Sequence, residues 1–94
     1  MLTGKAKVMF EKLQRELPVD LPVVVRVRAM PGHHGTAEKL EGYYRITVEI
    51  SKCGECRLDT LVHEWAHLMT RWDAAEHGPS WGVNYAKAYS CVLA

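Results

Sequence analysis

An α+β fold is predicted for this chain, with an N-terminal helix, a two- to three-stranded sheet and two C-terminal helices. Three observations predict it. Apolar residues recur at helical spacing from Leu58 to Trp72, two shorter runs around Val23–Ala29 and Tyr43–Ile50 alternate with period two, and Pro and Gly separate these blocks. The chain has 94 residues and reads as one domain over 1–94, close to the size at which a single core is marginal without help. A bound metal would supply such help, because metal binding is coupled to folding free energy.

Taken in order, the first helix is expected from about Gly4 to Leu17, with Val8, Met9, Leu13 and Leu17 near one face and Lys5, Lys7, Lys12, Arg15 and Glu16 largely opposite. Thr3 suits its N-cap, and Pro18 ends it by disfavouring helical backbone at Leu17. Leu21 to Met30 reads as a strand in which Val23, Val25, Val27 and Ala29 face the core. Pro31-Gly32 breaks that run and places His33 and His34 in a loop. Residues 36–41 fit either a short strand or part of a loop. Tyr43 to Ser51 is a clearer strand, with Tyr44, Ile46, Val48 and Ile50 on one face and Tyr43, Arg45, Thr47 and Glu49 on the other. Cys53-Gly54-Glu55-Cys56 forms a turn. A helix then carries Leu58, Leu61, Val62, Trp65, Leu68, Met69 and Trp72 as a wide apolar stripe. After a connector over 73–78, Pro79 suits the first position of a last helix to about Val92, with Trp81, Tyr85, Ala88, Tyr89 and Val92 on its buried side.

Composition narrows the function classes. The hydrophobic fraction of 48% and charged fraction of 24% are those of an ordinary globular protein. A net charge of +1 makes no global case for a nucleic-acid or membrane partner. No apolar run approaches the ~18 residues of a membrane span, and Met1 to Phe10 does not read as a signal peptide. Three cysteines, an odd number, argue against a disulfide framework. The expectation is a soluble, cytoplasmic protein.

The chemistry concentrates in Leu61-Val62-His63-Glu64-Trp65-Ala66-His67-Leu68-Met69, an H-E-x-x-H motif inside the apolar stripe. On a helix His63 and His67 stand one turn apart on the same face, so each can offer a ring nitrogen to one Zn2+ at about 2.0–2.1 Å. Glu64 lies beside that position, free to act as general base toward a metal-activated water whose pKa zinc lowers to roughly 7. This is the chemistry of peptide-bond hydrolysis.

A catalytic zinc site needs a third protein ligand. Downstream of His67 the acidic and imidazole residues are Asp73, Glu76 and His77. No acidic residue follows Glu76, which removes the zincin class whose third ligand is a glutamate further along the next helix. Asp73 occupies the last ligand position of the extended H-E-x-x-H-x-x-G-x-x-H pattern, but Thr70 stands where that pattern needs Gly for a sharp turn. His77 is the better candidate, because Gly78 and Pro79 allow the chain to swing it back over His63 and His67. Asp73 remains the alternative.

The H-E-x-x-H helix, the short connector and His77-Gly78-Pro79-Ser80-Trp81 resemble the SprT-like (Spartan-type) zinc metalloproteases, over about residues 43–92. That family shows a third His followed by Gly and, a few residues on, an aromatic. The resemblance implies a minimal zincin-like fold in which His63, His67 and His77 bind zinc and Glu64 is the catalytic base. Relatives often carry a C-terminal zinc ribbon or DNA-binding extension, and this sequence ends at Ala94. The expected function is that of a zinc metallopeptidase acting on a protein or peptide. The alternative is a metal-stabilised module that binds DNA or protein with little turnover.

Other groups carry weaker signals. Cys53 and Cys56 form a lone C-x-x-C, which with Cys91 and His33 or His34 could complete a structural zinc site only if the fold joins them; reduced thiols are the plainer reading. Glu76 and Asp73 are candidate acceptors for ligand imidazole N–H groups. Tyr43, Tyr44, Tyr85 and Tyr89 include candidate donors to a tetrahedral intermediate. Arg26, Arg28 and Arg45 share the wet sheet face, where pairing with Glu49 is a simpler expectation than nucleic-acid binding. The strand Tyr43–Ser51 is expected to border the cleft and to offer unpaired backbone to an extended peptide.

Overall fold

The computed structural model describes residues 4–29, 35–49, 54–70 and 77–93, for 54–57 as backbone alone. The element order is α1 (Gly4–Glu16), β1 (Val23–Arg28), β2 (Gly35–Leu40), β3 (Tyr43–Glu49), α2 (Gly54–Thr70) and α3 (Pro79–Val92). The α+β class and the sequence of elements are those expected, and the ambiguous stretch is a strand. Thr3 lies outside the described residues.

Helix α1 buries Ala6, Met9 and Leu13 and closes with the Leu17 N–H donating to the Leu13 carbonyl at 2.8 Å, directly before Pro18. Val8, expected on the buried side, is 65% exposed. Phe10 packs inward in its place, its ring edge-on to Trp65 with centroids 6.0 Å apart.

The sheet order is β1-β3-β2, with β1 parallel and β2 antiparallel to β3. This corrects one expectation: β3 is the central strand and its backbone is paired on both sides. Tyr44, Ile46 and Val48 of this strand are buried on one face, and Thr47 is buried on the other. Among the described residues β1 and β2 form the two edges of the sheet, and β2 is the one that also packs on α2. Strands β2 and β3 make a hairpin in which Leu40 faces Tyr43 across the two-residue turn Glu41-Gly42. Gly42 has φ 84°, a conformation that L side chains resist.

On the face opposite Tyr44 and Ile46, Arg26 Nε donates to the buried Thr47 Oγ1 at 2.7 Å, and Arg45 grips both oxygens of Glu38 at 3.1 and 3.2 Å. The register places Glu38 opposite Arg45, so Glu38 rather than Glu49 is the cross-strand partner. These arginines are engaged within the sheet.

Helix α2 is the hub, packing on β2, β3, α1 and α3. Leu61, Val62, Trp65 and Leu68 are fully buried, joined by Leu13, Tyr44, Ile46, Val48 and Ala88 in one core. Trp65 is the largest wholly buried side chain among the described residues, and its indole N–H donates to the Leu17 carbonyl at 3.1 Å, so its polar edge is satisfied. Trp72 lies outside the described residues. On α3, Ala88 is buried and Trp81, Tyr85 and Val92 are half-buried, but Tyr89, expected inward, is 42% exposed. No helix among the described residues is long and apolar enough to cross a membrane.

Candidate metal centre

The buried stripe of α2 fixes its rotation, and the sector left over carries His63 and His67 one turn apart, both half-buried. His77 approaches them from the turn before α3. Its backbone has φ 57°, the left-handed region that a non-glycine residue occupies at a cost. Gly78 is extended at the N-cap, and Pro79 opens the helix. The reversal lets α3 run back along α2 with the imidazole of His77 held over the other two.

His77 Nε2 lies 3.1 Å from His67 Nε2 and 3.1 Å from His63 Nε2, and one ligand nitrogen from each of the three rings falls within 4.8 Å of the others. Hydrogen bonding alone accounts poorly for this. A ring nitrogen carries either one hydrogen or one lone pair, so His77 Nε2 can satisfy one of its two neighbours and not both. A shared cation satisfies all three lone pairs. Nitrogens about 2.0–2.1 Å from a tetrahedral zinc stand about 3.3–3.4 Å apart, close to the observed spacing. The three imidazoles can hold a metal ion, and the donor set suits zinc among several divalent ions.

Trp81 forms the wall behind the cluster. Its ring centroid lies 5.0, 5.7 and 4.6 Å from those of His63, His67 and His77, and its indole N–H points at the His63 carbonyl at 3.4 Å. Sequence reasoning placed Trp81 on a buried face without this contact to all three imidazoles. Behind the site Thr70 Oγ1 donates to the Ala66 carbonyl at 2.6 Å and accepts from Asn84 Nδ2 at 3.0 Å, tying the end of α2 to α3. The helix runs through Thr70 as its residue type implied.

No family model, curated protein or solved structure matches the chain. The site is therefore read from its own geometry.

Glu64 is 6% exposed and faces the start of β2. The fold leaves no room there for a larger residue than Gly35. A Cβ at Gly35 would lie 2.5 Å from Thr60 Cγ2, 2.9 Å from the Thr47 carbonyl oxygen and 3.5 Å from Glu64 Cγ. Since one of those neighbours is backbone of the central strand, α2 and β2 must separate to admit a methyl group. Gly35→Ala is expected to lower stability by about 1–3 kcal/mol, read from urea unfolding, and to displace Glu64 while metal stoichiometry is unchanged.

Asp59 is a residue that sequence reasoning missed. It stands four positions before His63 on α2, one turn along the same stripe, and accepts a 2.6 Å hydrogen bond from the Tyr85 hydroxyl on α3. Extending the His63–His67 spacing one turn backwards would have found it. Tyr44, by contrast, is buried and donates to Asp20, in the segment before β1, at 2.6 Å. Asp73, Glu76, Cys53, the Cys56 side chain, His33 and His34 lie outside the described residues. Cys91 is a free, half-buried thiol on α3.

Proposed function

We propose that the chain is a zinc-dependent metallopeptidase, a minimal SprT-like domain. The observation that carries this reading is the convergence of His63, His67 and His77 on one point, with the buried Glu64 as the next residue after His63 on α2. Bound zinc supplies a Lewis acid there and makes water acidic enough to lose a proton near neutral pH. Glu64 accepts that proton as general base and returns it to the departing amine. The three imidazoles act as neutral ligands, and Glu64 serves in proton transfer rather than as a ligand.

The open edge of β2 provides a track for the substrate. It begins at Gly35, against Glu64, and its outward backbone groups can pair with an extended peptide. This moves the docking strand from β3, whose backbone is already paired, to β2. A zinc-loaded sample is expected to cleave an unstructured fluorogenic peptide and to lose that activity to a chelator. N-methylation of alternate peptide amides, at least two residues from the cut, is expected to lower kcat/KM at least tenfold by removing strand pairing. Equal cleavage of the methylated peptide would exclude docking on β2, and failure of any peptide to be cut by the zinc-loaded protein would exclude the peptidase reading.

The position of the cluster at the α2–α3 junction also supports a second reading, a metal-stabilised binding module with little turnover. The two diverge at Glu64.

A further inference from the structure

We propose that Tyr85 is the hydrogen-bond donor this cleft presents to the substrate carbonyl, with Asp59 holding the phenol in position until the substrate arrives; the inference rests on the peptidase reading above. The ring of Tyr85 meets a metal-site imidazole, edge-on to His63 with centroids 6.4 Å apart. Its ring also leans on Trp81 at 5.0 Å, which itself touches all three histidines. Tyr89 stacks on the far side of Tyr85 at 6.1 Å, one turn further from the cluster, and Tyr44 is buried with its hydroxyl on Asp20.

The ring lies against His63 and the hydroxyl is anchored one turn of α2 before it. Asp59 sits four residues before His63, about 6 Å along the axis, and holds the Tyr85 hydroxyl at 2.6 Å. The hydrogen bond to Asp59, with burial and the carboxylate's charge adding to it, pushes the Tyr85 pKa up to about 12. Asp59 is solvent-exposed, so water replaces the phenol at its carboxylate with little penalty when the hydroxyl turns to a substrate.

The reaction balances without a proton from Tyr85. Water oxygen forms a bond to the carbonyl carbon while the carbonyl π electrons move to oxygen, and Glu64 takes the water proton. Tyr85 donates a hydrogen bond to that oxygen, where charge grows as the bond forms. Collapse reforms the carbonyl, breaks the C–N bond and returns the proton from Glu64 to the amine. A donor aimed at developing charge acts on kcat rather than on substrate binding.

The test compares wild type, Tyr85→Phe, Asp59→Ala and the double variant, each zinc-loaded, for peptide cleavage, zinc stoichiometry and affinity for a phosphinate peptide that mimics the tetrahedral centre. For Tyr85→Phe, kcat is expected to fall about 100-fold with KM within threefold and zinc content unchanged. Phosphinate affinity should fall in parallel, while affinity for the unreactive product peptide stays constant. Asp59→Ala is expected to lose about tenfold in kcat, and the double variant to be no slower than Tyr85→Phe, as two residues acting as a unit require. An active wild type with equal kcat or unaltered phosphinate affinity in Tyr85→Phe overturns the donor role alone. Loss of zinc in Tyr85→Phe overturns it in favour of a structural role, and an inactive wild type overturns it together with the peptidase reading.

Discussion

Glu64→Gln is expected to leave zinc stoichiometry unchanged and to lower peptide cleavage by about 10²–10⁴-fold. The substitution preserves the size of a side chain that is 6% exposed and wedged against the start of β2, so packing next to Gly35 is retained. An amide in place of the carboxylate cannot accept a proton at neutral pH. Metal analysis and single-turnover cleavage on the same preparation separate binding from chemistry. Cleavage within threefold of wild type would remove Glu64 from the mechanism, and an unaltered partner-binding activity without any cleavage would favour the binding module.

Removing His77 is expected to have the largest effect on stability, and its sign depends on the metal. With metal a thousandfold above its Kd, binding to the folded chain contributes about 4 kcal/mol. For a domain of this size that is roughly 15–30 °C in Tm. His77→Ala and His77→Gly should both lose most of this, seen as a zinc-induced shift in Tm that collapses in the variants. Without metal the two should part. At φ 57° the glycine variant relieves backbone strain of about 1 kcal/mol that the alanine variant keeps, so metal-free His77→Gly should unfold above metal-free wild type. A full zinc-induced shift in either variant would show that His77 is not a ligand.

What the sequence made legible follows from periodicity. Alternation revealed β1 and β3, and the stripe through Leu61, Val62, Trp65 and Leu68 revealed both α2 and the sector holding His63 and His67. His77 emerged from the short list of donors after His67 and from the turn residues Gly78 and Pro79. Strand order did not emerge, because alternation describes the faces of a strand and not its neighbours. Thus β3 read as a cleft border when it lies in the middle, and β2, with Gly35, Thr36 and Lys39 in place of a strong apolar alternation, read as ambiguous. The contacts of Gly35 with Thr60 and Thr47, and of Asp59 with Tyr85, join residues distant in the chain, and local pattern carries no record of such meetings. Val8 and Tyr89 fell on the wrong side because α1 and α3 each bury a narrow stripe, where a small error in helix phase exchanges an inner residue for an outer one.

The left-handed turn at His77 sets its imidazole against those of His63 and His67 across sequence separations of 14 and 10 residues. A covalent bridge closing loops of that length contributes roughly 3 kcal/mol by restricting the unfolded chain. A coordinated ion spans the same loops but, unlike a disulfide, is set by metal supply rather than by redox state. With zinc bound, α3 is clasped to α2 by a reversible cross-link. On the peptidase proposal, the surrounding free-metal level would govern two properties at once: how firmly the last helix is docked, and whether the carboxylate of Glu64 has anything to act upon.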